Sequence, residues 1–265
     1  MRFFREFEIL AVSSELGYME DGVYMADENC KENLDSIYDM VQNDDNSGSY
    51  RQQIGSAGIF SSDLIPLLGQ KIDDEEIFDS LIRLLTAMTD PVCADSSELS
   101  KVNQYNRKVI EGFLLEYKKS FHNALLWVKL REKIVKFLRK ECPKNSPDLT
   151  GLTLNFVRNL MTIEDSEESQ VLVVCYADSG MARLIQYIAS APDLDEWHLH
   201  ATEIFSGLLK DTSPMAISKV DPQKDALRHV TFERPCVVMD ECSVEVYSVN
   251  YHKNNYYCGL LWEYG

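Results

Sequence analysis

Four lysines, Lys129, Lys133, Lys136 and Lys140, recur at i, i+4, i+7 and i+11 in ALLWVKLREKIVKFLRK, with Arg131 and Arg139 flanking them. At helical spacing the four ammonium groups fall in one stripe. Trp127, Leu130, Ile134 and Phe137 make the opposing, buried face. Such a row neutralises phosphates without reading bases, so it predicts nonspecific, strongly salt-dependent contact with duplex DNA. The same spacing also describes an exposed helix face of solvated lysines, and both readings stand at this level. Residues 99–144 hold 12 basic and 4 acidic residues, whereas 1–98 hold 6 and 21, and 145–265 hold 8 and 18. Those acidic flanks repel a duplex.

No other constellation converges on chemistry. His198 and His200 lie two apart in a predicted helix, where metal pairs need i, i+3 or i, i+4 to share a face. Cys236, Cys242 and Cys258, with His229 and His252, supply zinc-ligand types at spacings that match no common knuckle or ribbon. Gly55-Ser56-Ala57-Gly58 lacks the Gly-Lys-Ser/Thr ending of a phosphate loop. Its glycines are read as permitting close helix–helix approach. Asp178-Ser179-Gly180 has no suggestively placed histidine, and G-x-S-x-G is absent. Carboxylate runs such as Asp73–Glu76 read as caps and solvated faces. The expectation is no catalytic residue, no cofactor and no metal.

The elements that must position these residues are helices. Residues 4–16 carry Phe4, Phe7, Leu10 and Ala11 at helical intervals, with Gly17 as a stop. Residues 28–42 place Leu34, Ile37, Tyr38 and Val41 on one stripe, with Asp27 or Asn29 as cap. A third helix is expected over about 50–60. A fourth follows the capping signal Ser61-Ser62-Asp63, with Pro66 in its first turn. A fifth starts at Asp73, with Glu76 in the manner of a capping box. It carries Ile77, Leu81, Leu84, Leu85 and Met88 on one face and stops before Pro91. Further helices are expected at about 100–118, 121–141, from Asp148 to about Ile163, at 170–190 and at 194–210. None of these segments shows strand alternation. Stacked short helices that bury one face each against their neighbours are the simplest architecture. The tail from His229 to Gly265 is rich in Val, Tyr and Cys and reads as two or three short strands or an irregular tail.

Composition sets the outer limits. The 265 residues are 45% hydrophobic, enough for one or two cores, and hold no apolar run of about 18 residues that would span a membrane. The N-terminus mixes charge with apolar residues, unlike a secretory signal. Seven cysteines without framework spacing fit reduced thiols inside a cell. The formal net charge is −17.

One stretch is specific enough to suggest a family. RQQIGSAGIFSSDLIPLLGQ followed by IFDSLIRLLTAMTDP resembles the N-terminal domain of the Timeless family, through Arg51, Gln52, Gln53, Ile54 and Gly55, then Asp63 to Leu68 with Pro66. The likeness continues through Ile77, Phe78 and Asp79, Ile82, Arg83 and Leu84, and Thr89 with Pro91. Leu16 to Glu20, LNFVRNL at 154–160 and EWHLHATEIF at 196–205 are similar to further family segments, so the resemblance covers about 5–212. It implies an all-α, armadillo/HEAT-like right-handed stack over 1–212, with 213–265 a divergent tail, possibly a small β-hairpin or disordered. It implies a nuclear, non-enzymatic protein of the replication fork-protection type. Such proteins pair with a Tipin-type small subunit, meet replisome or cohesin components, and support checkpoint signalling and sister-chromatid cohesion. Some relatives serve the circadian clock. Family chains are far longer than 265 residues, so a short or truncated form is expected. The rival readings are a generic acidic helical adaptor without a DNA link and a truncated form with reduced function.

Overall fold

The computed structural model describes residues 9–44, 48–91, 101–139, 146–163 and 168–210. The chain opens on helical residues 9–13 and then turns into an antiparallel hairpin, β1 (Gly17–Glu20) and β2 (Val23–Ala26), with Gly17 opposite Ala26 and Glu20 opposite Val23. This hairpin departs from the all-α stack expected over 1–212. Its signal is the Asp21-Gly22 turn, in which both residues take positive φ, 49° and 80°. A two-residue turn of that hand matches the twist of paired strands.

Ten α-helices follow among the described residues: α1 (Cys30–Gln42), α2 (Ser49–Ala57), α3 (Ile65–Lys71), α4 (Glu75–Thr89), α5 (Lys101–Ser120), α6 (Ala124–Leu138), α7 (Ser146–Thr162), α8 (Glu168–Asp178), α9 (Met181–Ser190) and α10 (His198–Leu209). The molecule is mostly helical, as its periodicity implies. α1 packs on α4, α4 on α7, and α7 on α10, so the principal contacts recur at every third helix. Burial follows that order. α1 buries one stripe, Cys30, Leu34, Ile37 and Val41, and α10 buries Ala201, Ile204 and Leu208. α4 and α7, each held between two neighbours, are buried on more than one side. Phe78 and Ile82 join the expected stripe of α4, and α7 buries Leu149, Leu154, Phe156, Val157 and Leu160. Polar groups tie the same three helices together. Asn159 is fully buried, and its amide donates to Thr86 O at 3.3 Å and to Thr89 Oγ1 at 3.5 Å. Its carbonyl accepts from Arg158, which reaches Glu203 of α10 at 3.1 Å.

The helix expected at 194–210 begins at His198, behind a 3-10 turn over Pro192–Trp197, and four further boundaries differ from expectation, each for a local reason. α2 ends at Ala57 because Gly58 turns left-handed, at φ 71°. Ser61-Ser62-Asp63 does not cap a new helix but lies inside a π-helical turn, Phe60–Leu64, that runs directly into α3. The wide turn sits immediately ahead of Pro66, which lacks an N–H and whose ring would crowd the carbonyl four residues back in an ordinary helix. The cap of α4 is Asp74 rather than Asp73, its carboxylate accepting from Ile77 N–H at 3.2 Å. The helix expected at 170–190 is two helices meeting at 72°, broken where Gly180 takes φ 75°. The expected β-rich or irregular tail lies outside the described residues. No single helix among the described residues is long and apolar enough to cross a membrane.

Candidate functional site

The lysine row lies on α6, which faces α3, α7, α8 and α9. Trp127, Leu130, Ile134 and Phe137 are buried as their spacing requires. The row itself is not a uniform exposed stripe, and this corrects the sequence reading: Lys133 is buried, at 3% exposure. At roughly 100° per residue, Lys133 is the member nearest Leu126 and Phe137 on the apolar side. Its long aliphatic stem makes that burial tolerable. Its ammonium lies 4.9 Å from the centroid of the Phe78 ring and 5.4 Å from that of Phe137, a geometry in which the ring faces attract a cation. Lys129 and Lys136 are exposed yet engaged. Lys129 donates to Gly69 O in the last turn of α3, and Lys136 pairs with Asp73 at 2.6 Å. The Lys136 ammonium holds the Asp73 carboxyl below the usual carboxylate range. Arg131 donates to Ser179 O at 2.6 Å, just past the end of α8. Arg139 is exposed, and Lys140 lies outside the described residues.

A common device runs through these contacts. The last carbonyls of a helix have no partner within it and carry its partial negative charge. Here cations from other helices supply the partner. Lys129 serves α3 and Arg131 serves α8. Lys118, fully buried, donates to Ile163 O at 2.7 Å beyond α7. Arg51 donates to Met88 O at 2.8 Å and Asp90 O at 2.7 Å at the end of α4. Much of the basic block therefore holds the fold together.

The motif residues cluster around the same junctions. Arg51 terminates α4 next to Pro91, and burial lowers its pKa while it remains a cation. Gln52 and Gln53 are half-buried, and Gln52 Nε2 and Gln53 Oε1 have no hydrogen-bond partner among the described residues. Gly55 is the close-approach glycine: a Cβ there would stand 2.4 Å from the Phe113 ring of α5. Asp63 accepts from the Tyr24 hydroxyl at 2.7 Å and so fixes the hairpin to the π-helical turn. Burial raises the Tyr24 pKa, with the Asp63 carboxylate adding to it, which keeps the phenol a donor. Pro66 follows that turn, Phe78 lies under Lys133, and Asp79 pairs with Arg83 at 2.6 Å within α4. The sequence reading missed Tyr24, Lys118 and Asn159. Only Tyr24 had a local signal, the hairpin turn that precedes it.

Among the described residues, those weighed for chemistry are not brought together. His198, the first residue of α10, places Nε2 3.0 Å from Ala191 O at the end of α9. Burial, with the Arg158 charge second, lowers the pKa of His200. Burial pushes the Cys30 thiol up to about 11, so it stays protonated at neutral pH and is a poor nucleophile. No group of three or more His, Cys, Asp and Glu side chains that could hold a metal occurs among the described residues. His229, His252, Cys236, Cys242 and Cys258 lie outside them.

Fold and site together define a mostly helical protein in which several cationic side chains bind the ends of other helices. The sequence places it more closely. A family model described as Timeless protein matches residues 23–233, which runs past the boundary at 212 suggested by the motifs. The chain belongs to the Timeless family. It is 28% identical to the human protein timeless homolog over 229 residues, covering 80% of this chain and 19% of the human protein. The mouse homolog gives the same identity and coverage. The fruit fly protein timeless is 24% identical over 237 residues, covering 80% of this chain and 17% of its own length. The chain thus spans about a fifth of the length of the curated relatives it matches.

Proposed function

We propose that this chain is a non-catalytic docking scaffold of the fork-protection type. It acts in the nucleus, in DNA replication, checkpoint signalling and sister-chromatid cohesion, and its partners are a Tipin-type small subunit with replisome or cohesin components. The match to the Timeless family over residues 23–233 carries the reading. The fold supports it in two ways. Contacts that recur at every third helix suit an armadillo/HEAT-like stack, in which each unit buries one side and leaves another for partners. Lys118 and Arg131 of the basic block are bonded to helix ends, which suits a part in holding the stack together.

Nonspecific duplex contact is a weaker branch of the same proposal. A phosphate at Lys129 or Lys136 must compete with Gly69 O or the Asp73 carboxylate. The testing experiment is capture of a purified Tipin-type small subunit by the purified chain. Retention at micromolar concentration supports the role. No capture, with the chain shown to be folded by circular dichroism, sinks it and leaves the generic adaptor.

A further inference from the structure

The first strands carry a surface that the packing of the described residues does not use. Ten large apolar side chains stand exposed among the described residues, and five of them fall between Leu10 and Met25. Side chains two apart along a strand share a face, so the register puts Tyr18 and Met25 opposite one another and Glu20 opposite Val23 on a single face. All four are exposed, Tyr18 at 58%, Val23 at 51% and Met25 at 42%. The opposite face holds the buried Tyr24, anchored to Asp63. Gly17 locks the base of the hairpin: its φ is 154°, and a Cβ would stand 2.3 Å from Met25 O. Asp27 N–H closes the base on Leu16 O at 3.1 Å. These contacts hold the hairpin at its base, so that a partner meets a face already formed.

The charges around it specify the partner. Glu15, Glu20, Asp21, Asp27 and Glu28 surround the strands, and residues 15–28 contain no Lys or Arg. A second copy of a chain with net charge −17 is repelled by that surface, as is a nucleic acid. We infer that the Tyr18–Met25 face is a docking site for an extended segment of another protein in which Lys or Arg alternates with apolar residues. The apolar side chains cover Tyr18, Val23 and Met25, and the cations meet Glu20 and Asp21. This presupposes the docking role above and adds to it a surface and a partner chemistry.

The test uses a fluorescein-labelled peptide of alternating lysine and valine, with fluorescence anisotropy against the full chain. Tyr18→Ser with Met25→Ser should weaken binding by at least about tenfold. Tyr187→Ser with Leu199→Ser, which removes exposed apolar groups on α9 and α10, should leave it within about twofold, and a glutamate–valine peptide should not bind. Equal weakening in the two double variants, or no weakening in the first, overturns the site. So does a self-associating chain that Tyr18→Ser with Met25→Ser turns monomeric, which makes a second copy the occupant. Peroxide oxidation of Met25 that is slow until residues 1–8 are removed also overturns it, because the chain then covers its own face. Small-subunit capture measured on the same variants separates the two claims. Capture retained with peptide binding insensitive to the hairpin ends this inference alone, whereas capture absent with hairpin-dependent peptide binding ends the fork-protection reading alone.

Discussion

Lys133 shows how one side chain changes an interpretation. As a member of an i, i+4, i+7 row it looks like a phosphate ligand, but in the fold it is a buried cation over two phenylalanine faces. Its aliphatic stem can be replaced more easily than its sign of charge. Lys133→Met should cost less than about 2 kcal/mol, the scale of a desolvated cation–π contact. Lys133→Glu should cost about 3 to 5 kcal/mol, the scale of an uncompensated buried charge, and urea denaturation ranks the two. A variant with the whole row changed to Glu therefore loses stability before it reports on DNA. His200 gives a second test at this scale. Its folded pKa lies below the ordinary value of 6.5, chiefly through burial. The unfolded chain therefore binds the proton first, and stability falls as pH drops below about 6.5 towards the folded value. His200→Gln should flatten the loss of stability between about pH 7 and 5, read as midpoints in urea at each pH.

Helix ends account for most of what distinguishes the elements from a bare periodic pattern. Two adjacent aspartates precede α4, and only the backbone decides between them. Asp74 caps the helix, and Asp73 reaches across to Lys136. Asp74→Ala should cost about 1 kcal/mol, as lost N-caps do. Asp73→Ala should stay within about 0.5 kcal/mol, because its ion pair is exposed. Equal costs in thermal unfolding would contradict the assignment. Apolar spacing placed α1, α4, α6 and α7 to within a few residues because burying a stripe tolerates little drift. It misplaced the junctions at 58–64 and 179–180, where one left-handed glycine or a proline four residues past a carbonyl sets the geometry. It missed the hairpin because ten residues with a single two-residue turn carry too little period to stand out.

At the scale of the molecule, the described buried apolar residues form one connected cluster that runs from Ile9 to Leu208. A continuous core predicts that the described helices unfold together. Far-ultraviolet ellipticity and the fluorescence of Trp127, which is fully buried, should therefore give coincident urea transitions. Separate midpoints would mean that the ladder α1–α4–α7–α10 divides into independent units.

By itself the sequence determined that the chain is mostly helical, where its principal helices lie, which side chains fill them and, through RQQIG and the residues that follow, its family. These are properties of short segments, since apolar period and local motif are complete within one or two helices. Only the tertiary structure decided what the charged residues do. Lys118, Lys129, Arg131 and Arg51 find their carbonyls 45, 60, 48 and 37 or more residues away. Partners at that separation leave no trace in spacing, because they are set by which helix ends the packed core brings alongside each cation.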